Sequence, residues 1–510
     1  MAAITLVALN ARYIHPSLGC RSLLANLGPL APEAALVEAL ASDRPLDVVE
    51  RVLALGPRVV GLGVYVWNAE AVARVVGLLK RVAPGVVVVL GGPELLGEAE
   101  RHPAVREADV LVVGEGEVAF AEACACVLAG EGPGPRLVRA APPELATVAL
   151  PDALYSDHDL AHRFVYVETT RGCPGRCAFC VSACEPRVRR FPLQAVLASL
   201  GRLLERGARG FKLVDRSFNA DARRAEAVLR FLLGRWREGL HLHLEWLPDR
   251  APAGPVDLLA AFPPGAVQLE VGVQTWNPVV AAAIDRPCRP EVIERNLATL
   301  LARTGAHVHV DLIAGLPGED AASFAAGFDR LVALGVHEIQ VGVLKRLPGT
   351  PLEGLDPGWG QVYDPAPPYE VLATGALPFE ALMRLKRFAR AWDLVGNSGN
   401  FRRTLPRLLA GGSAFAEFDA FAQAMFARLG RTSGVALEVL VAEVHRWLVD
   451  ERGHDGAAAA SDLAADWAAG GRRGVPEGLR RWLDDRGRPC TGPSGVALQR
   501  RQARHRDAVR

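Results

Sequence analysis

The chain has 510 residues, of which half are hydrophobic, and its 58 Lys and Arg residues nearly balance its 57 Asp and Glu residues. This composition is typical of a globular protein with two to four domains, and it excludes an intrinsically disordered chain. A formal net charge of +1 gives no electrostatic reason to expect nucleic acid or a membrane surface as the main partner.

The apolar runs and the cysteines predict where the protein works. The N-terminal segment, residues 1–16, has no basic stretch ahead of its apolar run, so it fits a buried strand better than an export signal. No stretch approaches the roughly 18 uninterrupted apolar residues of a membrane helix. We therefore predict a cytoplasmic protein, in which nine cysteines indicate a metal or redox site rather than disulfides.

Residues 1–135 alternate strand-like and helix-like segments. The apolar runs lie at 4–9, 58–67, 86–92 and 108–117. Runs of this length that are rich in β-branched residues and end near glycine are typical of parallel strands covered on both faces. We predict an α/β domain with a doubly wound, Rossmann-like sheet, whose ligand binds at the carboxyl ends of the strands. Residues 136–162 are rich in proline and predict an irregular linker.

The next region, residues 163–352, repeats the pattern of an apolar run followed by a helical segment. Its six runs are FVYVETT, FKLVDRSF, HLHLEW, AVQLEVGVQT, HVHVDLIAG and HEIQVGVLK. Six such units predict a partial (β/α) barrel with its chemistry at the C-terminal ends of the strands. Residues 353–485 predict a mainly helical C-terminal domain, and residues 486–510 form a basic tail.

Four cysteines fall within twelve residues, directly after the first strand of this barrel. In VETTRGCPGRCAFCVSAC the spacing is Cys173-x3-Cys177-x2-Cys180, and Cys184 follows. Thiolates are the ligands of iron–sulfur clusters, and closely spaced cysteines in one loop can hold a cubane. Three ligands leave one iron open for another molecule, as at a catalytic zinc site. The alternative is a zinc site formed by these three thiolates together with Cys184.

This spacing, with the aromatic Phe179 before the third cysteine, resembles the cluster motif of the radical S-adenosylmethionine (SAM) superfamily. The resemblance implies that Cys173, Cys177 and Cys180 ligate a [4Fe–4S] cluster. SAM would bind the open iron and yield a 5′-deoxyadenosyl radical on reduction. The resemblance also implies cofactor contacts by Phe179 within the cysteine motif, and SAM contacts at later strand ends by Asp215, Glu245, Glu270, Gln274, Gly315 and Pro317. The alternative role for each carboxylate is hydrogen bonding within the barrel mouth alone.

One of these strand ends departs from the superfamily pattern. Val214, Asp215 and Arg216 stand where many members carry Gly-Gly-Glu, whose acid meets the SAM amino group. The glycines are absent here, so Asp215 either takes the amine or has a polar role in the substrate pocket.

VLGGPE, followed by VVGEGE, resembles the cobalamin-binding domain that is fused to many radical SAM enzymes. The resemblance implies cobalamin contacts by Tyr65, Trp67, Gly91, Gly92, Pro93, Gly114, Glu115, Gly116 and Glu117. Glycines at these strand ends let the backbone approach a large flat ligand. The alternatives are a domain kept for packing and a domain that binds a different ligand.

Many cobalamin domains carry an Asp-x-His-x-x-Gly loop whose histidine ligates cobalt. After its first strand this chain has NARYIHPSLG instead, with Tyr13 in place of the Asp and Gly19 four positions after His15. The resemblance therefore implies a cobalt face without a protein histidine.

Over residues 1–480 the motifs together resemble a subfamily of cobalamin-dependent radical SAM enzymes whose C-terminal domain has no assigned role. The resemblance implies a C-methyltransferase acting on an unactivated carbon. One SAM would methylate the cobalamin, and a second would yield the radical that takes a substrate hydrogen. The substrate radical would then collect the methyl group. The alternatives are a rearrangement or cyclisation enzyme that uses cobalamin without methyl transfer, and a non-catalytic cobalamin carrier.

The expected partners are a small-molecule or peptide substrate and an electron donor such as flavodoxin or ferredoxin. The C-terminal helices are expected to shape the substrate pocket. Its candidate residues are Trp392, Asn397, Ser398 and Asn400.

Overall fold

A computed structural model describes most of the chain. The described residues are 1–286, 288–355, 357–480 and 482–483. The predicted basic tail and Cys490 lie outside these ranges. None of the helices within them is both long enough and apolar enough to cross a bilayer.

The apolar runs of the N-terminal region form a six-stranded parallel sheet with the order β2-β1-β3-β4-β5-β6. Its strands are β1 (Ile4–Asn10), β2 (Ala34–Leu40), β3 (Val59–Gly63), β4 (Val87–Gly91), β5 (Val110–Val113) and β6 (Leu137–Arg139). Its helices are α1 (Leu18–Ala25), α2 (Pro45–Leu53), α3 (Ala69–Val82) and α4 (Glu117–Ala129). One apolar cluster joins the sheet to α2 and α3, and another joins it to α1 and α4. The predicted doubly wound domain is confirmed.

Two strands of this sheet lie outside the predicted apolar runs. β2 is an edge strand with a single fully buried residue, Ala39, so its pattern is too weak to stand out. β6 lies in the region predicted as an irregular linker, yet it pairs in parallel with β5. The same region also contains the short helix α5 (Asp157–His162), which a capping box at Ser156 begins. Proline-rich flanks hide both elements in the sequence.

The second sheet has six parallel strands in the order β7-β10-β11-β12-β13-β14. These strands are β7 (Val165–Val167), β10 (Gly210–Leu213), β11 (His241–Trp246), β12 (Val267–Gln274), β13 (His307–Ala314) and β14 (Glu338–Val343). After β7 come the paired short strands β8 (Thr170–Arg171) and β9 (Arg189–Arg190). The helices of this domain are α6 (Leu193–Glu205), α7 (Ala222–Leu233), α8 (Ala253–Ala261), α9 (Pro278–Ala283), α10 (Pro290–Arg303) and α11 (Ala321–Leu334). The six predicted β-units are confirmed.

Side chains on these strands alternate between a buried face and a half-buried polar lumen. On β12 the even-numbered positions, among them Glu270, are half-buried, and the odd-numbered positions are buried. The sheet is curved, because Lys212 Nζ on β10 lies 3.5 Å from Glu270 Oε2 on β12 although β11 separates these strands. Closed barrels usually fill this space with branched apolar side chains. The polar lumen therefore favours a binding site over a packed core.

The C-terminal region packs against the outside of the barrel. Its elements are β15 (Val362–Tyr363), β16 (Val371–Ala373), α12 (Phe379–Leu394), α13 (Leu405–Leu408), α14 (Ala414–Leu429), α15 (Leu437–Arg446) and α16 (Gly456–Ala469). Phe328 of α11 meets Phe388 and Trp392 of α12 edge-to-face, with ring centroids 4.9 and 4.8 Å apart. Such aromatic pairs contribute about 0.5–1.5 kcal/mol each beyond the area they bury.

This packing corrects the prediction for the C-terminal pocket residues. Asn397 accepts a hydrogen bond from the N–H of Ile339 and donates one to its carbonyl, so it caps the free edge of β14. Trp392 lies in the aromatic cluster, and Ser398 accepts from the N–H of Asn400 within a local turn. Trp392 and Asn397 therefore attach the C-terminal helices to the barrel instead of lining a substrate pocket, and Ser398 and Asn400 belong to the turn that follows α12.

Candidate active site

The three motif cysteines lie in the loop that joins β8 to β9. Cys177 is buried, whereas Cys173 and Cys180 are half-buried. The loop turns sharply at Gly172, where a φ of 86° and the nearby carbonyl of Arg187 leave no room for a side chain. The turn places the cysteines beyond the C-terminal end of β7, where the chemistry of such barrels lies.

Hydrogen bonds to sulfur suit these thiols to an iron–sulfur cluster. Arg286 Nη1 donates to Cys177 Sγ at 3.0 Å, and the N–H of Gly175 donates to Cys173 Sγ at 3.4 Å. Burial raises the pKa of Cys173, and the nearby Cys180 and Cys177 add to this effect. Thiolates gathered in this way need a positive centre to stabilise them, and donors to sulfur are a regular part of cluster sites. The residues therefore fit a [4Fe–4S] cluster with three protein ligands.

Cys184 differs from the other three thiols in its surroundings. It is exposed, and its Sγ donates to the carbonyl of Gly349 at 3.2 Å. Near Gly349, the N–H of Leu352 donates to the carbonyl of Ala178 inside the cluster loop at 2.8 Å. Among the described residues, no three His, Cys, Asp or Glu side chains are arranged to hold a single metal ion. The contact with Gly349 favours a structural role for Cys184.

A cavity of about 450 Å³ lies between the cluster loop and the N-terminal sheet. Its wall on the N-terminal side includes Tyr65, Gly91, Gly92, Pro93, Gly114, Glu115, Gly116 and Glu117. Its wall on the barrel side includes Glu168, Arg171, Val181, Val214 and Arg216. Leu6, Val89, Val112 and Phe120 also line it and are apolar. A volume of this order is usual for cofactor pockets, and the cavity lies where the strand order reverses.

Two neighbouring glycines of this cavity serve different purposes. Gly92 has a φ of 111°, and a Cβ there would lie 2.5 Å from the carbonyl oxygen of Val64, so the backbone itself requires glycine. A Cβ on Gly91 would lie 3.5 Å from its nearest neighbour, the carbonyl oxygen of Val112, which is an ordinary contact. The missing side chain at Gly91 therefore widens the cavity, which suits a large flat ligand such as a corrin.

Two predicted aromatic residues lie together at this edge of the sheet. Tyr65 lines the cavity, and its ring stacks on Trp67 with centroids 4.4 Å apart and an interplanar angle of 12°. Trp67 is 50% exposed, and its Nε1 donates to the carbonyl of Leu9 at 3.3 Å. Tyr65 therefore lies in the cavity wall, and Trp67 stacks on its ring.

The histidine that follows β1 contacts the barrel. His15 Nδ1 lies 2.8 Å from Tyr166 Oη on β7. Burial lowers the pKa of His15 to about 4, and the charge of Lys212 contributes. His15 thus contacts a barrel residue, and its segment, NARYIHPSLG, lacks the cobalt-ligating motif.

The acids of the GEGE motif pair with arginines of the cluster hairpin. Arg171 contacts Glu115 at 2.5 Å and Glu117 at 2.7 Å, and it also contacts Glu168 at 2.9 Å. Arg189 forms a second ion pair with Glu115. Burial acts to raise the pKa of Glu117, but the charge of Arg171 outweighs it and the pKa lies below its usual value. Glu115 and Glu117 therefore line the cavity and also join the N-terminal domain to the cluster loop.

We expect Arg171→Met to lower the free energy of unfolding by about 3–5 kcal/mol, because it leaves buried acids without a counter-charge. The Arg171 and Glu117 side chains are 11% and 7% exposed. Folding depresses the pKa of Glu117. The ionised carboxylate therefore stabilises the fold above its unfolded pKa, and this stabilisation is lost as the pH falls through the folded pKa. The difference between wild type and variant in denaturant titrations should therefore shrink as the pH falls below 4.5, the ordinary pKa of a glutamate.

The control for Arg171→Met is Arg303→Met. The ion pair of Arg303 with Asp257 is exposed, at 53% and 61%, so its removal should cost less than about 1 kcal/mol. Equal losses in the two variants would contradict the structural role of Arg171.

At the barrel mouth, Asp215 and Arg216 point in different directions. Asp215 is buried and accepts from both the N–H and the Oγ1 of Thr169, at 3.1 and 2.8 Å. Arg216 lines the cavity and donates to Glu245 Oε1 at 3.2 Å. Burial raises the pKa of Glu245 to about 6, against the attraction of Arg216. This geometry favours Asp215 as a support of the cluster loop, and its contact with SAM stays a prediction.

The remaining predicted residues lie around the same mouth. Gln274 has a φ of 71° where β12 bulges, a conformation that is often retained at functional sites. Gly315, with a φ of 88°, sits directly under Val371, and Pro317 is buried in the same turn. Phe179 packs against the barrel core. The cofactor contacts of these residues stay predictions.

Several charged residues of the site, among them Glu168, Arg171 and Lys212, were outside the predicted set. Glu168 and Arg171 lie five and two positions before the first motif cysteine, and that position is the only sequence signal for them. Lys212 lies inside a strand, where nothing in the spacing distinguishes it from a surface lysine.

Comparison with known protein families identifies three regions of the chain. Residues 4–124 match the B12 binding domain, and residues 167–331 match the radical SAM superfamily. Residues 357–427 match a protein family of unknown function, DUF4080.

Two characterised proteins are similar in sequence. The cobalamin-dependent radical SAM methyltransferase TokK of Streptomyces tokunonensis is 29% identical over 396 residues, which cover 67% of this chain and 57% of TokK. The 2-(S-pantetheinyl)-carbapenam-3-carboxylate methyltransferase of Streptantibioticus cattleyicolor is 28% identical over 344 residues, covering 58% of this chain and 48% of that protein. The chain thus spans about half the length of these relatives.

Solved structures share the fold at low sequence identity. The radical SAM methyltransferase TsrM from Kitasatospora setae, with cobalamin and a [4Fe–4S] cluster bound, has a TM-score of 0.56 at 19% identity, covering 72% of this chain and 78% of TsrM. OxsB with aqua-cobalamin and SAM bound has a TM-score of 0.59 at 13% identity, covering 94% and 83%. The two domain matches and the cysteine loop agree: the chain carries a B12-binding domain at residues 4–124, followed by a radical SAM domain at residues 167–331.

Proposed function

We propose that this protein is a cobalamin-dependent radical SAM enzyme that methylates an unactivated carbon of a small molecule. One observation carries the proposal: a single cavity has the cysteine loop on one wall and the glycine-rich strand ends of the B12-binding domain on the other. A substrate at the barrel mouth would face both sites. The similarity to methyltransferases of related domain content supports methyl transfer over the alternatives.

When bound, the cluster with SAM supplies a radical that abstracts hydrogen, and cobalamin carries the methyl group. The overall reaction converts one substrate C–H bond and two SAM molecules into C–CH₃, S-adenosylhomocysteine, methionine and 5′-deoxyadenosine. The abstracted hydrogen ends in 5′-deoxyadenosine. Two electrons come from a low-potential donor such as flavodoxin or ferredoxin.

The chain's own residues bind and orient the reacting groups. Cys173, Cys177 and Cys180 would hold the cluster. Arg286 links this site to the barrel, because it donates both to Cys177 Sγ and to the carbonyl of Gly272 on β12. The glycine-lined wall would hold the corrin, and the ion pairs of Glu115 and Glu117 with Arg171 join this wall to the cluster hairpin.

The cysteines also support a cytoplasmic location. The eight cysteines of the described residues are free thiols. A reducing compartment keeps such thiols available for a cluster.

Methyl transfer can be tested before the substrate is known. We expect the full-length protein, reconstituted with iron, sulfide and cobalamin and then reduced, to form 5′-deoxyadenosine from SAM. It should also form S-adenosylhomocysteine in an amount equal to the bound corrinoid, because methylation of cobalamin needs no substrate. Both products are measured by chromatography and mass spectrometry.

The same assay separates the alternatives. A rearrangement or cyclisation enzyme would form 5′-deoxyadenosine without S-adenosylhomocysteine. A cobalamin carrier would form neither product, and that result would reject an enzymatic function.

A further inference from the structure

One lysine inside the barrel has unused hydrogen-bonding capacity. Within the described part of the chain, the ionic partner of Lys212 Nζ is Glu270 Oε2 at 3.5 Å, and the lysine side chain is 24% exposed. Glu270 is already engaged more closely by His243 Nε2, at 2.7 Å. An ammonium group has three donors. Lys212, whose charge also acts on Glu245 and Asp311, therefore keeps ammonium donors for a group that enters the lumen.

The N-terminal domain supplies a second donor beside Lys212. In the sheet register Lys212 is directly opposite Tyr166, whose Oη lies 2.8 Å from His15 Nδ1. The His15 ring is neutral, since burial and the charge of Lys212 oppose its protonation. When Nδ1 accepts from the tyrosine hydroxyl, Nε2 carries the ring proton and can donate to a ligand.

The loop that carries His15 also packs against an edge of the barrel sheet. β7 is an edge strand, and the N–H of Phe164 just before it donates to the carbonyl of Ile14 at 3.2 Å. Arg163 Nε donates to the carbonyl of Tyr13 at 2.7 Å. These contacts hold the loop, and with it His15, against the start of β7.

We propose that Lys212 and His15 form a carboxylate-binding subsite in the barrel lumen, and that the substrate is a small carboxylic acid. The ammonium of Lys212 lies on β10, and the imidazole of His15 is held beside the adjacent strand β7 by Tyr166. Both groups can donate to one carboxylate, and such charge-assisted bonds are the stronger kind. The identification of this acid as the substrate rests on the proposed function, whereas the binding site does not. SAM also carries a carboxylate and is the other possible source of this chemistry.

Calorimetry on the reconstituted full-length protein tests the subsite. The probes are benzoate, phenylacetate and indole-3-acetate, each beside its primary amide of nearly the same shape. We expect at least one acid to bind at least about tenfold more tightly than its amide, a difference of 1.4 kcal/mol. Lys212→Met should abolish this preference, and Lys212→Arg should keep it. His15→Leu should weaken acid binding, and His15→Gln, which retains a donor, should restore part of it.

The matched control is Lys386→Met, because Lys386 pairs with Glu370 in the C-terminal region. This variant should keep the wild-type preference for acids. Iron content and circular dichroism identify any variant that fails to fold, and Lys212→Arg preserves the test if Lys212→Met is lost.

Three results would overturn the proposal: acids and amides that bind alike, no binding of any acid, or a preference that survives in Lys212→Met. A loss of SAM affinity in Lys212→Met without any acid preference would assign Lys212 to the SAM carboxylate and also overturn it. Failure of the proposed function is distinguishable, because 5′-deoxyadenosine and S-adenosylhomocysteine are measured on the same preparations. Acid-selective binding without these products keeps the subsite and rejects the methyltransferase.

Discussion

Alanine at Cys173, Cys177 or Cys180 is expected to remove the iron–sulfur absorbance and to lower 5′-deoxyadenosine formation by more than about 100-fold. Loss of a hydrogen-bonding neighbour of a metal ligand typically costs about 10–100-fold, and loss of a ligand itself should cost more. Each cysteine is needed, because three thiolates are the smallest protein set that holds the cubane and leaves one iron for SAM. Iron and sulfide analysis and chromatography of the nucleoside measure the two effects.

Cys184→Ala is the matched control for these substitutions. Its thiol is exposed and bonds to the carbonyl of Gly349, so the variant should keep full iron content and activity. Equal loss of metal in Cys184→Ala and Cys173→Ala would contradict a three-cysteine cluster and favour the zinc site with four thiolates.

A leucine at Gly91 is expected to reduce corrinoid binding by at least about tenfold, equivalent to 1.4 kcal/mol, without loss of iron. Gly91 lines the cavity, and its backbone accepts a Cβ at an ordinary contact distance of 3.5 Å. The larger side chain would therefore occupy cavity space instead of breaking the sheet. Corrinoid extracted per protein chain, after purification from cobalamin-fed cells, measures the effect.

Gly85→Leu is the control for a general effect of leucine. A Cβ at Gly85 meets nothing within 4 Å, so corrinoid content should not change. Full corrinoid content in Gly91→Leu would show that the corrin binds elsewhere.

Strands and motifs that are marked by a pattern of neighbouring residues could be predicted from the sequence. The barrel strands and most of the N-terminal strands are short apolar runs that end in glycine or polar residues, and the cysteine spacing lies in one loop. β2 and β6 were hidden, because edge strands bury few residues and need no strong apolar pattern. Their pairing depends on the rest of the sheet.

The partners of polar side chains were not predictable. Trp392 and Asn397 resemble pocket residues in sequence, yet they bind the outer surface and edge of the barrel. Glu115 and Glu117 follow strand ends as predicted, but their ion pairs with Arg171 join residues more than fifty positions apart. Such pairs depend on how two domains meet, which no local spacing reveals.

The most direct test of the two-cofactor site is the corrinoid and iron content of the full-length protein after anaerobic purification from cobalamin-fed cells. We predict one corrinoid and one [4Fe–4S] cluster per chain, with the iron–sulfur absorbance lost in the variant that lacks Cys173, Cys177 and Cys180. A full cluster without corrinoid would contradict the proposed methyl transfer and would leave the ligand of the N-terminal domain to be found.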